Sequence, residues 1–156
     1  MRRKDREITD FEEIAAVMER CGICRLALND EEYPYILPLN FGMQVEEGKI
    51  VLYFHGAEEG KKYDLIKKNN KAGFEMDCST RLVTIPEDGN CTMNYESVIG
   101  QGRVEILPEN EKERALDILM RHYREENFPY NKAVIPQTTV FKLTVEKCSG
   151  KRRMKK

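Results

Sequence analysis

Strand-length apolar runs joined by short turn signals, with only three helical patterns among them, limit this chain to a mainly β architecture. The runs fall at 23–28, 35–41, 49–54, 71–77, 80–85, 91–106 and 138–146. Turn chemistry separates several of them: Asn29-Asp30-Glu31-Glu32, Glu46-Glu47-Gly48 and Pro86-Glu87-Asp88-Gly89. In the last, proline sets φ and glycine supplies dihedrals closed to other residues. Pro38 interrupts the second run; without a backbone N–H it belongs on an edge strand or at a bulge. The glycines of Ser97-Val98-Ile99-Gly100-Gln101-Gly102-Arg103 allow a bulge or a close approach of backbone to a ligand. Helical period follows a capping box, Thr9-x-x-Glu12, with Phe11, Ile14, Ala15, Val17 and Met18 as the apolar stripe and Gly22 as the stop. It recurs over 61–68 and over 109–123, where acidic first turns complement the helix dipole. Nothing here is the regular βα alternation of a doubly wound fold. The order predicts an antiparallel barrel or sandwich with peripheral helices. The final run, 138–146, breaks strict alternation at Val140, Leu143 and Val145, so its faces stay open.

A chain of 156 residues can bury one full core, and a single domain is expected over 1–150, with a frayed basic tail at 151–156. Charged residues are 34% of the chain but balance to a net −1, which gives no electrostatic case for nucleic acid. No apolar run approaches the roughly 20 residues that cross a bilayer. The basic N-terminus lacks the apolar core of a signal peptide, so a cytoplasmic location is expected. The five cysteines cannot all pair internally. Cys21 and Cys24 form a CxxC, but it ends a helix and enters a strand, the reverse of the redox motif, and no second ligand pair completes a zinc site. Buried, reduced thiols are the favoured reading.

The segment from Tyr53 to Ile66 carries the clearest chemistry. A strand stops at His55, a turn containing Gly56 and Gly60 follows, and Lys61 and Lys62 open a helix. Free N–H groups and the dipole at a helix start favour an anion, so a phosphate-bearing ligand is expected. The two lysines could equally form an ordinary solvated face, and His55 could simply close its strand.

Four stretches resemble the 5-nitroimidazole-resistance (Nim-type) members of the pyridoxamine 5′-phosphate oxidase-like flavoproteins. They are the opening eight residues, Pro34-Tyr35-Ile36-Leu37-Pro38-Leu39-Asn40-Phe41-Gly42, the run from Leu52 to Lys62, and Ser97-Val98-Ile99-Gly100-Gln101-Gly102. The resemblance extends to Lys151. It implies an FMN-binding antiparallel split β-barrel that works as a homodimer, with flavin at the subunit interface. Lys61 and Lys62 would then hold the flavin phosphate, with Gly60 at the turn. Lysine stands where related oxidases have the arginine of an arginine–lysine pair, which keeps charge and loses the planar fork. Pro38, Leu39 and Asn40 would line the ring, with Asn40 offering its amide; Ser97, Val98 and Ile99 would approach from another strand, and Tyr53 and His55 from the third. His55 matches the histidine of the active site. Gly56 replaces a common serine and loses one hydroxyl.

The activity so implied is an FMN-dependent oxidoreductase, nitroreductase-like, passing electrons from a reductant to a small acceptor, with His55 as proton donor. The alternative is a non-catalytic flavin- or haem-binding protein of the same fold, with His55 a candidate iron ligand. Pyridoxamine 5′-phosphate oxidation itself ranks last, because the chain looks short of that enzyme's C-terminal substrate segment. No GxGxxG fingerprint supports a tightly held nicotinamide. No nucleic acid, membrane or metal is expected as a partner.

Overall fold

The structure, a computed structural model, describes residues 2–124 and 128–155. Met1, which begins the first of the four stretches, and Lys156, which ends the expected tail, lie outside the described residues. Among the described residues eight strands and three α-helices follow one another as β1 (Glu7–Ile8), α1 (Phe11–Arg20), β2 (Cys24–Leu28), β3 (Tyr35–Leu39), β4 (Gly42–Glu46), β5 (Lys49–Ala57), α2 (Lys61–Lys68), β6 (Lys71–Ile85), β7 (Asn90–Ile106), α3 (Glu109–Tyr123) and β8 (Thr138–Arg153), with short 3-10 turns at Lys4–Arg6 and Lys132–Gln137. The strands pair antiparallel in the order β3-β2-β6-β7-β8-β5-β4, with β1 added to β8. The sheet curls into a split half-barrel.

One face of the curled sheet lines the core. Leu26, Leu28, Phe74, Met76, Val98, Val104, Phe141, Leu143, Leu52 and Phe54 meet there, joined by Ile14, Val17 and Met18 of α1 and by Tyr63, Leu65 and Ile66 of α2. The opposite face is covered only locally. α3 lies over β4 and β5, where Val51, Tyr53 and Val140 pack with Ala115 and Ile118. Gly42 permits this: a Cβ there would stand 2.5 Å from the Leu119 backbone. Double coverage explains the broken alternation of β8, whose Phe141, Leu143 and Val145 point into the barrel while Val140 points under α3.

Several elements differ from expectation for identifiable reasons. Asp10, not Thr9, caps α1, its carboxylate accepting the Glu13 N–H at 2.9 Å. The run 35–41 ends at Leu39, and Gly42–Glu46 forms a separate hairpin strand with β5. Pro38 does lie on an edge strand, since β3 ends the sheet. The runs 71–77 and 80–85 are one strand with a bulge after Cys78, where Ser79 has φ 58°. The glycine-bearing stretch of β7 carries a bulge against β8 between Gln101 and Gly102. A Cβ at Gly102 would lie 2.1 Å from the Thr144 carbonyl oxygen, so this glycine serves strand packing.

The expected frayed tail is the clearest correction. β8 continues to Arg153, pairing Lys151, Arg152 and Arg153 with Ser97, Glu96 and Tyr95. Glu96, 3% exposed, anchors it: its carboxylate accepts from Arg152 Nε (2.6 Å), Arg20 (2.9 Å) and Ser79 (3.0 Å). Beyond the strand, the Asn94 side chain accepts the Lys155 N–H and donates to its carbonyl, both at 2.8 Å. Basic composition alone suggests a solvated tail; the buried Glu96 carboxylate gives one of its charges, Arg152, a partner.

Candidate functional site at the end of β5

Residues 50–54 are buried on both sides, by the barrel on the even face and by α3 on the odd face. His55 continues the odd face one step beyond that cover, opposite Val140, and is exposed. Its pKa lies below the ordinary histidine value, first because surrounding protein strips water from the ring and second because Lys62 is positive. Gly56 turns to the even face. A Cβ there would lie 2.7 Å from Tyr63 Oη and 3.0 Å from Lys62 Nζ, so α2 begins directly against the end of β5. Gly60, at φ 151°, is the N-cap of α2 and offers no capping side chain. Its positive φ suits glycine alone.

The two lysines stand in different surroundings. Lys61 is committed: its ammonium is 2.6 Å from Asp30 in the β2–β3 turn and 5.3 Å from the Tyr35 ring centre. The hydrogen bond to Asp30 raises its pKa. Lys62 Nζ lies 4.4 Å over the Tyr63 ring, and among the described residues no carboxylate pairs with it. The Tyr63 ring meets Phe141 edge-on at 5.9 Å; burial raises the pKa of its hydroxyl, and a hydrogen bond with Thr139 works against that rise. The corner therefore gathers His55, Gly56, Gly60, Lys61, Lys62 and Tyr63. Glu58 and Glu59, in the intervening turn, add exposed negative charge.

Other predicted positions lie apart. Pro38 and Asn40 are exposed, whereas Leu39 packs against the barrel core. Ser97 and Ile99 face outward from β7, and Ile99 shares a cross-strand row with Glu75, Arg25 and Pro38. At about 4.8 Å per strand, that row puts Ile99 roughly 14 Å from Pro38. Val98 is fully buried in the barrel, so only its backbone is available to a ligand. Tyr53 is 1% exposed and its hydroxyl is held by Glu46 and by Arg114 (3.2 Å); burial and then Glu46 push its pKa up to about 12. Its side chain is closed under α3. Tyr63 carried only a packing role in the sequence; an aromatic hydroxyl right after two lysines at a helix start was the signal available.

Among the described residues no cluster of His, Cys, Asp and Glu is fit to hold a metal ion. Cys21 and Cys24 are buried and unpaired. Burial pushes the Cys24 thiol up to about 12 and raises Cys21 as well, so neither provides a thiolate. The larger clefts also lie away from the corner. One of 540 Å³ borders α3 beside Phe128 and Tyr130, one of 480 Å³ lies between Glu19, Met43, Ile118 and His122, and one of 380 Å³ runs along Gly73, Gly100 and Gly102. No helix is long and apolar enough to cross a membrane.

A curled antiparallel sheet with a cationic helix start at its rim defines the split-barrel class. The family model described as pyridoxamine 5′-phosphate oxidase matches residues 10–152. A structure from Bacteroides thetaiotaomicron, provisionally described as a 5-nitroimidazole antibiotic resistance protein, is 31% identical with a TM-score of 0.80, covering 93% of this chain and 85% of that one. The chain belongs to the pyridoxamine 5′-phosphate oxidase-like family, in its Nim-type branch. The fold is shared more widely. A flavocytochrome from Azotobacter vinelandii superposes with a TM-score of 0.78 at 21% identity, covering 99% of this chain and 72% of that one. An FAD- and haem-binding protein from Mycobacterium smegmatis gives 0.79 at 17%, covering 96% and 74%. No curated protein sequence matches this one significantly.

Proposed function

We propose that the chain binds FMN and acts as a flavin-dependent oxidoreductase on small acceptors, nitro compounds among them, as a homodimer. The observation that carries this is the corner at the start of α2. Lys62, whose ammonium meets no carboxylate among the described residues, lies at the glycine N-cap of α2, and Lys61, held by Asp30, precedes it at the same helix start. That donor set suits a phosphate monoester. The names of the fold neighbours, which include flavin-binding proteins, support the reading.

The ring would need an apolar surface, and one is open. Ile36 (60% exposed), Ile99 (55%) and Pro38 stand on the outer face of β3 and β7 with no element over them among the described residues. The Arg25–Glu75 ion pair lies between Ile99 and Pro38, so this open face is mixed apolar and charged, and it is the surface assigned to a second copy. Such a copy would bring Ser97 and Ile99 of one protomer toward the cationic corner of the other, with Asn40 free to hydrogen-bond the ring edge. When bound, the flavin supplies the redox chemistry. His55, largely neutral at pH 7, would hydrogen-bond an acceptor and deliver a proton when charged.

The test is direct. The purified protein should show a flavin absorption spectrum, either as isolated or after FMN is added, and its flavin should be reduced by a nicotinamide and reoxidised by a nitroaromatic. A Soret band with no flavin signal would instead support the haem-binding alternative, with His55 at the iron.

A further inference from the structure

We propose that Cys78 and Cys21 form a peroxide-oxidised pair: Cys78 takes the oxidant and Cys21 resolves it as an intramolecular disulfide. The pair involves none of the residues of the cationic corner. Spacing along the chain suggests Cys24 as the partner of Cys21, but the fold sets Cys21 against β6. Cys21, at the end of α1, donates to the Val17 carbonyl at 3.3 Å, and Cys78 approaches the same oxygen at 3.9 Å. Across that shared acceptor the two thiols are in hydrogen-bonding contact with each other.

Cys78 is the point of entry, since it is partly exposed while Cys21 is buried. It also sits where the strand yields. Pairing of β6 with β7 stops at Cys78–Glu96 and resumes at Arg81–Asn94, with Ser79 at φ 58° between them. A bulge can bend locally, and a disulfide needs its two Cα atoms within about 7 Å. Polar groups surround the sulfur: Ser79 Oγ at 3.7 Å, Glu96 Oε2 at 3.9 Å and the Arg20 guanidinium. Hydrogen peroxide is small enough to reach such a thiol. The Cys78 sulfur attacks one peroxide oxygen and the O–O bond breaks. The departing oxygen takes up the thiol proton and leaves as water, and Cys78 carries a sulfenic acid. Arg20 and Ser79 supply the donors beside that departing oxygen. The Cys21 sulfur then attacks the Cys78 sulfur; the S–S bond forms, the S–O bond breaks, and the hydroxyl leaves as water with the Cys21 proton. Two thiols lose two electrons in all, and one peroxide becomes two waters. Burial keeps Cys21 protonated, so it is inert to oxidant in solution and reacts only with a sulfenic acid held next to it. The product staples the end of α1 to the β6 bulge.

The experiment treats the whole reduced protein with hydrogen peroxide, blocks the remaining thiols with iodoacetamide and maps the unreduced peptides by mass spectrometry. The peptides of Cys21 and Cys78 should appear joined and should separate on adding dithiothreitol, while Cys24 and Cys148 remain thiols. Cys21→Ser should trap the sulfenic acid, with dimedone labelling of Cys78 about tenfold or more above wild type, because the resolving thiol is gone. Cys21→Ala serves the same purpose if the serine does not fold, and the wild-type map decides without either variant. Cys78→Ser should form no internal disulfide. A wild-type Cys78 that stays a free thiol overturns the proposal, as does a Cys78 oxidised without any link to Cys21. A disulfide between Cys21 and Cys24, or between Cys91 of two chains, in place of the Cys21–Cys78 link overturns it too.

Discussion

At the scale of single residues, the corner's chemistry turns on pairing. Lys61 and Lys62 are equivalent in sequence, yet Asp30 already neutralises Lys61. A phosphate must compete with that carboxylate at Lys61 and meets no rival at Lys62. Lys62→Ala should therefore weaken FMN binding about tenfold or more, and Lys61→Ala distinctly less, in a fluorescence titration. Equal losses would show that Asp30 releases Lys61 on binding. His55 makes a pH prediction. Its folded pKa lies below the ordinary 6.5, so the unfolded chain takes up the proton first as pH falls. The His55 contribution to stability therefore declines as pH drops below that value. Proton delivery by its charged form should give a turnover that falls as pH rises through a value below 6.5. His55→Gln should retain flavin and lose that pH limb, read in steady-state rates from pH 5 to 8.

At the scale of elements, β8 shows how one buried charge orders a terminus. Burial works to raise the Glu96 pKa, but Arg152, Arg20 and Ser79 outweigh it and leave the value lowered. A depressed carboxylate pKa means stability that is present above the ordinary glutamate range and is lost as pH falls through the folded value. Glu96→Gln should cost about 2 kcal/mol at neutral pH, the worth of charge-assisted hydrogen bonds, and should flatten the acid limb of the stability curve. Denaturant melts at pH 7 and pH 4 check both effects, and hydrogen exchange at 151–153 should rise in the variant. α3 was legible because its period and acidic start are local facts. The span of β8 was not, because its last residues pair with β7 across more than fifty residues of chain.

At the scale of the whole molecule, the outer face of the sheet is the open question that a second copy would answer. Ile99→Lys should shift a dimer toward monomer in sedimentation velocity and lower flavin affinity in parallel, since charge at the centre of an apolar interface is strongly unfavourable. A stable dimer with normal flavin binding would move the interface elsewhere. An antiparallel barrel or sandwich was legible from strand-length runs, turn residues and the lack of βα alternation, and the family resemblance narrowed it to the split barrel. The pairing order was not, because β2 lies beside β6 and β5 beside β8 through contacts that no local pattern encodes.

The sequence by itself determined the turns, the amphipathic helices, the restriction of Pro38 to an edge or a bulge, and a strand leading through a turn to cations at the helix start, although β5 runs on past His55 to Ala57. These follow from backbone dihedrals and side-chain periodicity, which act over a few residues. Only the tertiary structure decided what each face met. Tyr53 and His55 share one side of β5, yet Tyr53 lies under α3 and His55 does not, because α3 covers only part of the strand. Lys61 and Lys62 are neighbours, yet a carboxylate from a distant hairpin reaches only the first. Tyr63 looks like core in any pattern, and only the packing of α2 on Gly56 brings its hydroxyl to the end of β5. Burial and charge pairing depend on chain brought together from afar, and there the local code gives out.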